Sequence, residues 1–138
     1  MDKDLIPLFA EFGAAVHDAQ ILESGLALLM GLTATYQGTK FSFSPREALS
    51  GREEMQTLGA LFTAVKQKEY FTRKDEKIFW RAVRERNNLV HSFLTDRAAA
   101  MTTTNGRREV FAQIAEVRER LKAAGRIVDS LIDKYLSE

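Results

Sequence analysis

The chain contains no cysteine, which excludes disulfides, thiolate zinc sites and a cysteine nucleophile and agrees with a reducing, cytoplasmic setting. It has only two prolines, so little in it interrupts a long helix. Neither sign of charge dominates. The 20 Lys and Arg face 19 Asp and Glu, for a net charge of +1, and no global basic field demands a nucleic-acid partner. No apolar run approaches the roughly 20 residues that span a bilayer. The best, Leu26 to Leu32, is far shorter, and Met1-Asp2-Lys3-Asp4 is not the basic-then-apolar opening of a leader. The expectation is a chain without membrane contact. A glycine-rich phosphate loop, an HExxH pair and a carboxylate cluster with metal spacing are also missing, so neither cofactor nor metal is expected.

What is present is globular. At 138 residues, 45% hydrophobic and 28% charged, the chain suits one domain over 1–138 with a core of its own. Alternating strand-like runs are lacking and helical spacing is everywhere. Leu5, Phe9, Phe12, Val16, Ala19, Ala27 and Met30 predict a first helix from about Asp4 to Tyr36, ended by Gln37-Gly38-Thr39. From Ile21 onward it is apolar on nearly every side, with Leu22, Leu28 and Leu29, as if covered by its own bundle and by a second subunit. Ser44-Pro45 suits a short helical turn. Met55, Leu58, Leu61, Phe62 and Val65 mark a second helix, about 52–68. Thr72-Arg73-Lys74-Asp75 resembles a capping box opening a third, about Arg73 to Leu94. Thr95 to Gly106 reads as a polar connection with a mobile turn at Thr102–Gly106. Val110, Phe111, Ile114, Val117, Leu121, Ala124, Val128, Leu131, Ile132 and Tyr135 then define a last helix, about Arg108 to Leu136. Four main helices plus a short turn make an all-α antiparallel bundle.

The third helix carries the chemistry. Ile78, Phe79, Ala82, Val83, Leu89, Val90, Phe93 and Leu94 form an apolar stripe, and Arg86 stands near its middle where Leu or Ile belongs. Burying a guanidinium costs several kcal/mol unless it is paired or reaches water, so Arg86 has a buried partner or faces a cleft. Trp80, Arg84, Asn87 and His91 border the stripe as one half-buried ridge. Arg81, Glu85, Asn88 and Ser92 read as solvent surface. Between Lys66 and Arg86, eight basic residues (Lys66, Lys68, Arg73, Lys74, Lys77, Arg81, Arg84, Arg86) outnumber four acidic ones (Glu69, Asp75, Glu76, Glu85), a local surface suited to phosphate.

Arg86-Asn87-x-x-x-His91 resembles the Arg-polar-(x)-His signature of the HEPN (higher eukaryote and prokaryote nucleotide-binding) helical domains. Thr57-Leu58-Gly59-Ala60-Leu61-Phe62 looks like the start of the helix preceding that signature in several prokaryotic members. Glu23 sits where a first-bundle helix of the family often carries an acid. The resemblance covers most of the chain in helix order. It implies a metal-independent endoribonuclease acting on single-stranded RNA, with Arg86 and His91 catalytic, Asn87 in support, and two protomers bringing their motifs together. Histidine is suited to take the 2′-hydroxyl proton and arginine to hold the phosphate. Trp80, Arg81 and Arg84 would touch the RNA. Small prokaryotic members are often toxins restrained by an antitoxin, or effectors of anti-phage defence.

The same residues have plainer readings. Glu23 lies on the apolar stripe of its own helix and could be the buried ion-pair partner of Arg86. His91 could serve as a helix-end histidine favoured by the dipole, and Trp80 as core or dimer packing. On those readings the chain is an inactive HEPN relative, an interaction or nucleotide-binding module. A helical transcription regulator is disfavoured, because no helix-turn-helix is legible. His17 reads as surface, and Arg118, Arg120, Lys122 and Arg126 as solvation of the last helix.

Overall fold

A computed structural model describes residues 3–36, 62–63, 65–66 and 71–137, and every regular element among them is helical. Helix α1 covers Leu5–Tyr36 and α2 Arg73–His91; α3 is a single turn, Phe93–Asp96; a 3₁₀ turn, Ala100–Thr102, leads into α4, Thr104–Leu136. The expected all-α bundle is what the chain forms. Of the expected second helix, Phe62, Thr63, Val65 and Lys66 are helical. The rest of it, Ser44-Pro45, Gln37-Gly38-Thr39 and the Thr57–Leu61 stretch of the family resemblance lie outside the described residues.

Local chemistry sets the boundaries. Thr72 caps α2, its hydroxyl accepting the Asp75 N–H at 3.1 Å. The helix stops at His91, three residues before the apolar pattern does, because Ser92 adopts φ −142° and ψ −2°. Ser92 still donates its N–H to the Asn88 carbonyl, and its hydroxyl bonds Asn88 Oδ1 at 3.0 Å. Thr103 caps α4 by accepting the Gly106 N–H at 3.0 Å, so the stretch read as a mobile turn is instead the ordered start of the longest helix. The threonine run is there because a β-branched hydroxyl makes a good cap.

Contacts advance in step along α1 and α4. Arg107 bonds Asp4, Arg118 bonds both Glu11 and Asp18, and a Cβ on Gly25 would stand 3.0 Å from Val128 Cγ1. The first and last helices therefore run parallel. Glu23 meets Arg86 and Phe12 meets Phe93, so α2 runs antiparallel to α1; Glu85 with Arg120 and Arg97 with Gln113 make it antiparallel to α4 as well. The core between them holds Leu8, Leu22, Leu26 and Leu29 of α1, Phe79 and Leu89 of α2, and Ile114, Val117, Leu121 and Val128 of α4. At the start of α2, Phe62, Phe71 and Phe79 form an aromatic cluster, Phe62 stacked on Phe79 at 4.7 Å.

By length and mean hydropathy (1.2), Leu5–Leu32 is one helix that could cross a membrane, more than the sequence reading allowed. Its carboxylates Glu11, Asp18 and Glu23 are each bonded to an arginine of another helix, the pattern of a helix inside a protein bundle.

Candidate functional site

The misplaced arginine is buried. Arg86 is only 8% exposed, and its Nε donates to Glu23 Oε1 at 2.9 Å, the partner that the stripe positions of both residues suggested. Its Nη1 donates to Asn87 Oδ1 at 3.2 Å. Because arginine has no acceptor, Asn87 must present its oxygen inward, which turns its NH₂ group away from Arg86. Thus a carboxylate on α1 fixes a guanidinium, and the guanidinium fixes an amide on the ridge of α2.

His91 faces the other way. It is exposed, and it makes no hydrogen bond or ion pair among the described residues. Five residues separate it from Arg86, about 140° of helix rotation, and no hydrogen bond joins the two. Asn87 is one turn from His91, on the same side. The structure therefore joins Glu23, Arg86 and Asn87, and shows no bond between Arg86 and His91.

Trp80, Arg84, Asn87 and His91 share one side of α2, within about 60° on a regular helix. The ridge is more open than the expected half-burial: only Asn87 is partly buried and the other three are exposed. Trp80 is 43% exposed and meets Phe62 edge-on at 5.0 Å, so it is packed on one side and open elsewhere. Arg81 and Arg84 are exposed. With Arg73, Lys77, Trp80, Glu76 and Glu85 they line a shallow groove of about 560 Å³. Arg73 and Lys77 belong to this surface, although sequence reasoning counted them only as local charge; their positions 7 and 3 residues before Trp80 were the available signal.

Three parts of the sequence reading are corrected. Glu85, Asn88 and Ser92 are not open solvent surface: Glu85 is bonded to Arg120 of α4, and all three are partly buried. Arg118 and Arg120 do not simply solvate the last helix. Each reaches across to another helix, Arg118 to Glu11 and Asp18 and Arg120 to Glu85, and the two acids hold the Arg118 guanidinium firmly protonated. Val90 leaves the core and is 49% exposed. The buried face winds round α2 as it crosses its neighbours, from Phe79 and Val83 to Leu89 and Phe93, and Val90 falls off its edge beside His91.

Sequence reasoning also missed a second buried guanidinium. Arg107 is 8% exposed and bonds Asp4 Oδ2 at 2.7 Å, the Met101 carbonyl at 3.0 Å and Thr104 Oγ1 at 3.3 Å. Its spacing to Val110 and Ile114 carries the same signal as Arg86, but the expected helix began at Arg108, four residues after the actual start at Thr104, and so left Arg107 out. Among the described residues no cluster of His, Asp and Glu has the makings of a metal site, and no buried side-chain polar atom lacks a partner. No protein-family model matches the chain, and no curated protein or solved structure is significantly similar to it.

Proposed function

We propose that this domain binds single-stranded RNA along the exposed ridge of α2 and cleaves it without metal, His91 being the proton-transfer group. The observation that carries this reading is an open imidazole one helical turn from an amide locked in place by the Glu23–Arg86 pair. In the cleavage, the 2′-oxygen bonds to phosphorus while the phosphorus–5′-oxygen bond breaks. The 2′ proton passes to an imidazole and the 5′-oxygen receives one, leaving a 2′,3′-cyclic phosphate and a 5′-hydroxyl. Asn87 donates its NH₂ to a phosphate oxygen, Arg84 adds charge, and Arg86 acts behind them as a positioning residue. His91 is the one imidazole on this ridge and supplies only one of the two proton transfers, so two chains supply both as a homodimer.

Purified protein should cut single-stranded RNA in EDTA to cyclic-phosphate ends, with specific activity rising with protein concentration through the dimerisation range. His91→Ala should lose at least about a hundredfold in rate, as removal of a general base does, without loss of the fold. Intact RNA after incubation with folded wild-type protein at micromolar concentration would sink the proposal. The resemblance extends the proposal to a cytoplasmic toxin or anti-phage effector held by an antitoxin or other regulatory partner. Growth arrest on expression, relieved by His91→Ala, is its test.

One observation favours a second reading. Arg86 is buried and engaged by Glu23 and Asn87, which accounts for its charge within the single chain without any phosphate. A non-catalytic interaction or nucleotide-binding module needs only that structural pair. It predicts saturable binding of RNA or nucleotide with no change in the ligand.

A further inference from the structure

Resting on the reading of α2 as the nucleic-acid-facing helix, we infer that the groove over its first half is a tract for an unpaired strand. Trp80 stacks on its bases, and Arg73, Lys77, Arg81 and Arg84 hold its phosphates. The four cations line one groove of about 560 Å³, and none of them forms an ion pair among the described residues. The two acids on that groove are answered from outside it: Glu76 by Lys66 at 2.7 Å, and Glu85 by Arg120. The groove therefore presents positive charge although the whole chain is nearly neutral.

Trp80 decides what kind of anion fits. Its indole is backed by Phe62, itself fully buried and stacked on Phe79, so the ring is held firmly while almost half its surface stays open among arginines. An acidic peptide would use the cations and gain nothing from the indole. A duplex keeps its bases stacked on each other, out of reach. An unpaired strand offers a charge and a π face at every step, which matches cations interleaved with an aromatic platform. The ridge then continues to Asn87 and His91, about 10 and 16 Å beyond Trp80 along the axis, so a strand seated in the groove leads toward the imidazole.

Trp80 is the only tryptophan in the chain, so fluorescence excited selectively at tryptophan reports on this groove alone. The intact protein carrying His91→Ala is titrated with a short oligouridylate, or oligothymidylate, in EDTA. Saturable quenching is expected, with log affinity falling against log salt at a slope of about −2 to −3 for three or four phosphate contacts. The double variant Lys77→Gln, Arg84→Gln should flatten that slope by about 1.4. Trp80→Leu, followed with a labelled oligonucleotide, should weaken binding roughly tenfold and Trp80→Phe should restore part of it. Tighter binding of uridylate assigns the tract to RNA; equal binding assigns it to single strands of either kind. Absent quenching, equal affinity for a duplex, equal quenching by polyglutamate, or a slope unchanged in the double variant each overturns the inference. Binding without cleavage in wild type spares the groove and sinks the nuclease reading. Cleavage with Trp80 unquenched does the reverse.

Discussion

A guanidinium taken out of water keeps its charge, so its partners must follow it inside. Arg86 satisfies this with Glu23 and Asn87, at side-chain exposures of 10% for Arg86 and 13% for Glu23. Removing one member strands the other: Arg86→Ala or Glu23→Leu should each cost about 3–5 kcal/mol in urea unfolding. Replacing both with apolar residues, Arg86→Met with Glu23→Leu, should cost far less than the sum. Additive losses would mean that the pair is not coupled. His91→Ala, exposed and unbonded, should change stability by no more than about 0.5 kcal/mol, which makes it the clean variant for activity. Gly106 is constrained differently. A Cβ there would lie 1.9 Å from the Ala100 carbonyl oxygen and 2.8 Å from Thr103 Oγ1, the cap itself. Gly106→Ala should therefore destabilise by more than about 1 kcal/mol, although alanine normally favours a helix. A rise in melting temperature would show that the 3₁₀ turn simply gives way.

At the scale of elements, what was legible depended on whether a signal was local. The stripes of α2 and α4 and the Thr72 cap were readable because period and capping are properties of neighbouring residues. In the first half of α1 the buried face instead runs through Leu8 and Ala15, and Phe9 of the expected stripe is 45% exposed. Arg86 was readable because a charge broke a stripe, and Glu23 because it broke another. Their pairing joined two local anomalies, which is how a contact 63 positions apart could be anticipated. Arg118 shows the opposite case. It sits among alternating Glu116, Glu119 and Arg120, the pattern of a solvated face, and only the parallel alignment of α1 and α4 brings Glu11 and Asp18 to it. The same holds for the outward turn of Val90, which follows from how α2 crosses its neighbours. The Arg118 contacts fix the register of the parallel pair. Arg118→Ala should lower the melting temperature by several degrees, and Arg118→Lys should recover only part, because one ammonium cannot reproduce the fork to two acids. Full recovery by lysine would reduce the role of Arg118 to charge alone.

For the whole molecule, the start of α1 is tied to the start of α4 by one contact, Asp4 with Arg107. The hydrogen bond from Arg107 is the main cause holding the Asp4 carboxyl below its usual value of 3.8. The unfolded chain, lacking that bond, takes up a proton more readily as acid is added. Stability from this contact is therefore complete above the unfolded value and is lost as pH falls through it toward the lower folded value. Protonation also neutralises the Asp4 partner of Arg107, which is 8% exposed and keeps its bonds to the Met101 carbonyl and Thr104. Urea unfolding followed from about pH 5 to pH 3 should show stability falling with acid, and Asp4→Asn should flatten that limb by removing the titrating group. If the wild-type and Asp4→Asn curves run parallel through this range, the contact is not linked to folding. The helix ends must then be held by the apolar seam between α1 and α4, from Leu8 to Val128, alone.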